Sequence, residues 1–181
     1  MSAAASAFVP SLLRLRPNPK GHQPAWLKGL RRSAFQWVSE RGFPSAKDEA
    51  WKYTRVTPIL EVPFVPAEPD ARCRLSVADI DRLAGDLGGT RLVFVNGHYA
   101  PALSSLKELP RGAKVRSLAY VLLEEGESLE LLLWRLFREQ PQAFTALNAA
   151  LAEDGAFVRI PANTAIKEPI HLVFVSDTGA R

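Results

Sequence analysis

The chain has 181 residues, 47% of them hydrophobic, and a net charge of +4; that is enough for one ordinary domain or one domain plus part of another, and disorder throughout is excluded. Cys73 is the single cysteine, so no intramolecular disulfide can close, and one thiol cannot by itself hold a zinc ion or an iron–sulfur cluster. On that cysteine usage the chain reads as intracellular and free of its own metal site; no apolar run is long enough to span a bilayer, and the start lacks a signal-peptide core.

Residues 1–22 read as a loose basic arm, interrupted by Pro10, Pro17, Pro19 and Gly21. No acidic residue precedes Glu40, whereas Arg14, Arg16, Lys20, Lys28, Arg31 and Arg32 all do. Such a segment fits a solvated arm, an organelle transit peptide, or a contact surface for anionic membrane or nucleic acid. Against the last, the rest of the sequence shows no basic stripe interleaved with aromatics.

Pro24 can open a helix, because its missing N–H costs nothing at the first position. Trp26, Leu27, Leu30, Ala34, Trp37 and Val38 then fall within an arc of about 120°, the width of a core-facing stripe. Lys28, Arg32 and Gln36 lie opposite, and Phe35 falls off the stripe. Packing of this helix on its own domain is the expected use of the stripe. Gly42 supplies a stop, since glycine tolerates positive φ.

Ser45 stands three residues before Asp48, the spacing of a capping box, and predicts a short helix that ends before Thr57-Pro58. Trp51 and Tyr53 are read as packing residues, Asp48 and Glu49 as caps. Ile59 to Arg74, with Pro63, Pro66 and Pro69, reads as an extended crossing, and Cys73 in it as an ordinary thiol. Ser76 with Asp79 repeats the box and opens a helix whose face is Val77, Ile80, Leu83, Ala84 and Leu87, closed by Gly88-Gly89.

Leu92-Val93-Phe94-Val95 is a continuous apolar run, as in a strand covered on both faces. Asn96-Gly97 predicts a tight hairpin, and His98-Tyr99-Ala100 is the return strand, cut off by Pro101. His98 has no carboxylate or second histidine at an orienting spacing, so it is read as exposed and not catalytic.

Ser117 to Gly126 reads as a helix with Glu124 and Glu125 at the end the dipole disfavours. Ser128 is expected to cap the next helix, with Leu129, Leu132, Leu133, Leu136 and Phe137 on its face and Leu131 and Trp134 off it, as in a helix covered on two sides. Pro141 starts a further helix with Phe144, Leu147 and Leu151 facing in. Asn148 shares that face and is expected to be a buried structural bridge. After Glu153-Asp154-Gly155 the period changes to strands: Phe157 to Ile160, a turn at Pro161-Ala162-Asn163-Thr164, then Ile170 to Val175. Short strands separated by turns fit the first coils of a stacked strand solenoid. His171 is read as a core or surface histidine, not a ligand.

Three stretches carry a resemblance. Glu49 followed by Trp51-Lys52-Tyr53-Thr54 after a Gly-Phe-Pro turn, then Arg91 to Pro101, then Ala146 to Leu151 running on to Pro169-Ile170-His171-Leu172, together resemble the SufD family of iron–sulfur cluster assembly subunits. The resemblance implies an α+β chain: a helical N-terminal region with a short β-hairpin, leading into the first strands of a right-handed parallel β-helix. The implied division is 1–22 loose arm, 23–154 mainly helical domain with a hairpin near 91–101, and 155–181 the start of a β-helix core that continues past Arg181. It implies a non-catalytic scaffold of the SUF complex, acting with SufB and SufC, in the bacterial cytoplasm, or in a plastid with about the first twenty residues as transit peptide. Iron–sulfur cluster and FAD would belong to the whole complex. No catalytic, cofactor-binding or metal residue is expected in this stretch, and SufC binding is expected to need more than it. The competing classes are a protein that binds anionic membrane or nucleic acid through its basic N-terminal helix, and a small enzyme. For the enzyme the sequence offers no Gly-rich phosphate loop, nucleophile elbow or HExxH.

Overall fold

The computed structural model describes residues 23–62, 64, 67, 74–85, 88–139 and 142–177. The basic arm, Cys73 and most of the proline-rich crossing lie outside the described residues. In chain order the elements are α1 (Ala25–Arg41), a 3₁₀ turn (Glu49–Trp51), α2 (Thr57–Leu60), α3 (Val77–Ala84), β1 (Thr90–Val95), β2 (His98–Tyr99) and a 3₁₀ turn (Pro101–Leu103). There follow β3 (Lys114–Ser117), α4 (Leu118–Glu125), a 3₁₀ turn (Gly126–Leu129), α5 (Glu130–Glu139), α6 (Ala143–Leu151), β4 (Ala156–Arg159) and β5 (Ile170–Val175). These form two compact units. One combines the described residues within Met1–Pro66 with Glu125–Ala152; the other combines those within Ala67–Glu124 and Glu153–Arg181.

The first unit is helical. Leu27, Leu30, Ala34 and Val38 are buried along α1 at the expected spacing, while Lys28, Arg32 and Gln36 are exposed. Gly42, at φ 71°, closes the helix by donating its N–H to the Val38 carbonyl at 2.8 Å. α6 packs along α1 and buries Ala143, Ala146 and Ala150, small residues that allow two helices to approach closely. The neighbouring face of α6 presents Phe144 and Leu147 to Val56 and Leu60. Phe43 and Trp51 close this cluster, each ring 5.4 Å from that of Phe144. Asn148 is therefore exposed, not buried as expected: α6 turns its alanine row toward α1, and that leaves Asn148 on the water side.

Two other helices depart from expectation. Ser128 lies inside a 3₁₀ turn and donates its hydroxyl to the Glu125 carbonyl at 2.7 Å; α5 starts only at Glu130. On α5, Leu131, Leu132 and Leu136 are exposed, so the helix is covered on one side only. Pro58 does not end a helix but sits in the first turn of α2, where a missing N–H is tolerated.

The second unit is built around β1, whose six residues are all buried. β1 lies in the middle of a sheet of order β2-β1-β5. It pairs antiparallel with β2 through the Asn96-Gly97 turn, at φ 50° and 88°, and parallel with β5 from Thr90↔Ile170 to Val95↔Val175. Side chains of a strand alternate, so β1 feeds two cores. Val93 and Val95 pack with Ile80 and Leu103; Leu92 and Phe94 pack with Val115 of a second sheet. That second sheet pairs β3 and β4 antiparallel, from Lys114↔Arg159 to Ser117↔Ala156.

The class is α+β, as the resemblance implies. The strands expected as solenoid coils behave differently: β4 and β5 do not pair with one another, and no β-helix is present among the described residues. The reason is that partners already exist upstream. β1 offers β5 a parallel neighbour, and β3, hidden ahead of the expected Ser117 helix, takes β4. α3 carries the capping box but not the expected face: Ile80 alone of its residues is buried, Val77 and Leu83 are exposed, and Gly85, at φ 82°, ends the helix before Gly88.

Candidate functional site

The motif around Trp51 is a turn, not a helix. Ser45 N–H donates to Asp48 Oδ2 at 2.7 Å, which is half of a capping box. Asp48 itself is extended, at ψ 122°, and one 3₁₀ turn follows. So short a segment cannot offset the cost of nucleating a helix. The Ser45 backbone N–H, and after it the Ser45 hydroxyl, hold the Asp48 carboxyl below its ordinary value. Trp51 packs against Phe144. Tyr53 does not pack: it is 91% exposed, with the Lys52 ammonium 5.5 Å from its ring centroid. The motif therefore splits into an inward anchor and an outward side chain.

The candidate histidines are not brought together into a site. His98 is half-buried, and its Nε2–H donates to the Ala67 carbonyl at 3.1 Å. His171, also half-buried, stands opposite Arg91 in the β1–β5 register. Among the described residues no group of three or more His, Cys, Asp and Glu is arranged to hold a metal ion. Nor is any helix among them long and apolar enough to cross a membrane.

Three polar residues matter more than the sequence pattern suggested. Asp154 is the main junction of the second unit. Its Oδ1 accepts from the Ser117 hydroxyl at 2.7 Å and from the Ala119 and Gly155 N–H groups, and its Oδ2 accepts from the Tyr99 N–H at 2.9 Å. One carboxylate thus ties the hairpin, the β3–α4 junction and the start of β4. Asp154-Gly155 had read as a helix end; its only sequence signal was an acid at a change of period. Arg91 is buried on β1 and pairs with Asp81 of α3 at 2.6 Å. Arg31 is buried on α1 and donates to Gln23 and to the Ala152 carbonyl at 2.7 Å, just past the end of α6. A cation there is favoured by the helix dipole.

The arrangement is one of anchors, caps and junctions, and comparison with known proteins places the chain in a family. Residues 16–172 match the family described as SufBD protein N-terminal region. The chain is 31% identical over 157 residues to an iron–sulfur cluster assembly SufBD family protein of Synechocystis, covering 86% of this chain and 34% of that protein. It is 25% identical over 165 residues to the iron–sulfur cluster assembly protein SufD of Bacillus subtilis, covering 88% of this chain and 37% of the relative. It is also 38% identical over 74 residues to SufD of Escherichia coli, covering 41% of this chain and 16% of the relative. The chain spans about a third of the length of the first and second of these relatives. With the match running through both structural units, the chain belongs to the SufBD family, whose N-terminal region it carries.

Proposed function

We propose that this protein is a non-catalytic scaffold subunit of iron–sulfur cluster assembly, working in a SUF complex with SufB and SufC in the cytoplasm. The observation that carries the reading is the family match over residues 16–172, with relatives named for cluster assembly. In this reading the helical region serves as a lid, and the chain enters a parallel β-helix within the last stretch, at β5. The edge position of β5 supports that: it is parallel to β1, and Leu172 and Phe174 are exposed beside it. A further parallel strand would cover both the open edge and those side chains. Cluster and FAD belong to the assembled complex and not to this region, and the site residues are structural.

Expression of the whole protein in a bacterium lacking its own SufD tests this. The expected result is recovered activity of an iron–sulfur dehydratase and co-purification with SufB and SufC. A folded protein that restores neither would overturn the proposal. Residues 1–181 alone are expected not to retain SufC, and a pull-down that retains them would place the contact in this region.

A further inference from the structure

Leu131, Leu132 and Leu136 leave α5 with an open apolar face. Six of the ten residues of this helix are large and apolar, yet none of the ten is buried. Leu133, Trp134 and Phe137 are half-buried, and Trp134 lies against Gly29 of α1. The other side carries the three exposed leucines, Leu131 at 86%. A helix apolar on nearly every side is ordinarily covered, and a row of open leucines marks a contact surface.

Two observations point to the chain's own N-terminal arm as the cover. The first is where the arm joins the helical unit. Pro24, at the start of α1, sits on Gly126, in the 3₁₀ turn that leads into α5; a Cβ on Gly126 would overlap the Pro24 ring. The arm is thus rooted beside the first residues of α5. The second is the order of charge. Traced back from Pro24, the arm presents Lys20, Arg16 and Arg14 first, and then Leu13, Leu12, Val9 and Phe8. Traced forward from Gly126, the helix presents Glu127 and Glu130 first, and then Leu131, Leu132 and Leu136. Basic residues therefore meet acidic ones near the root, and apolar residues meet apolar ones farther along. Residues 16–23 can span about 26 Å when extended, and α5 is about 15 Å long, so the reach suffices. We propose that residues 8–15, which lie outside the described residues, dock on the open face of α5 as an intramolecular strap. A second copy of the chain fits less well. A stable interface removes about 800 Å² from each partner, and three leucines on so short a helix present far less. The inference goes beyond the function proposed above and stands independently of it.

Trypsin cleavage of the whole protein tests the strap. Trypsin cuts after Arg14 but not after Arg16, which Pro17 follows. Release of the Arg14 end is followed by mass spectrometry, each rate being divided by that of a matching synthetic peptide of residues 1–22. The bond in the protein is expected to be cut about ten-fold more slowly than in the peptide, because cleavage follows the population of the open form. Leu132→Ser with Leu136→Ser should remove that protection, and so should Leu12→Ser with Leu13→Ser. The two pairs combined should add nothing further, since they break one contact. Leu83→Ser, at an exposed leucine of α3, should leave the rate unchanged. The arm variants keep the test open should the α5 variants misfold. The proposal is overturned if the wild-type bond is cut as fast as the peptide, if the α5 variants leave the rate unchanged, or if the effects of the two pairs add. Protection that grows with protein concentration would assign the face to a second copy. Protection seen only with phosphatidylglycerol vesicles would assign the arm to a lipid surface. Either result also overturns the proposal.

Discussion

Asp154 shows how one side chain can carry a junction. It accepts from four donors, three of them backbone N–H groups. An amide offers one acceptor oxygen and turns an NH₂ group toward a donor. Asp154→Asn is therefore expected to cost about 2–3 kcal/mol in urea unfolding, whereas Glu127→Gln on the surface should stay within about 0.5 kcal/mol. Asp79 makes a different prediction. The Ser76 hydroxyl, then the Ser76 backbone N–H, hold its carboxyl below the ordinary 3.8. A carboxylate whose native pKa is depressed stabilises the fold above its unfolded pKa, and loses that effect as pH falls through the native value. Asp79→Asn should thus lower stability at neutral pH and flatten the fall in stability below about pH 4, measured as melting temperature against pH.

At the scale of the element, α6 has two working faces. Its alanine row meets α1, and Phe144 with Leu147 meets the Val56–Leu60 cluster. Ala146 is fully buried, so Ala146→Leu should cost about 1–3 kcal/mol by overpacking. Asn148→Ala, on the exposed side, should change stability by less than about 0.5 kcal/mol; a large loss would restore the bridging role expected from sequence. The acidic end of α4 is also resolved at this scale. Glu124 opposes the helix dipole, but β3 brings Arg116 to it and Tyr120 lies beside it. The hydrogen bond to Glu124, and then its charge, raise the Tyr120 phenol above its ordinary value. Neither partner is visible from the helix alone, because Arg116 belongs to a strand that its four-residue stretch does not announce.

At the scale of the whole molecule, the chain leaves each unit and returns to finish it: Glu125–Ala152 completes the helical unit, and the described residues after Ala152 complete the sheets. The parallel β1–β5 pairing depends on a close approach at Gly89. Its φ is +90°, and a Cβ there would fall on the Pro169 carbonyl oxygen. Gly89→Ala is expected to displace the start of β5, with loss of hydrogen-exchange protection for the β5 amides and a cost of about 2 kcal/mol or more. Unchanged protection would mean that β5 is not held from this end.

What the sequence determined by itself is local. The α1 stripe, the Ser76–Asp79 box, the Asn96-Gly97 hairpin and the strand at 170–175 each rest on interactions within a few residues, or on a periodicity that a single element carries. Ordered motifs also indicated the family. Tertiary structure decided which strands pair, because a short apolar run such as β5 can be taken up by any compatible edge, and the free partner here was β1. It likewise decided which side of α6 is buried and where Asp154 points. Each of these turns on groups dozens of residues apart, and contacts across such separations leave no periodic trace in a single sequence.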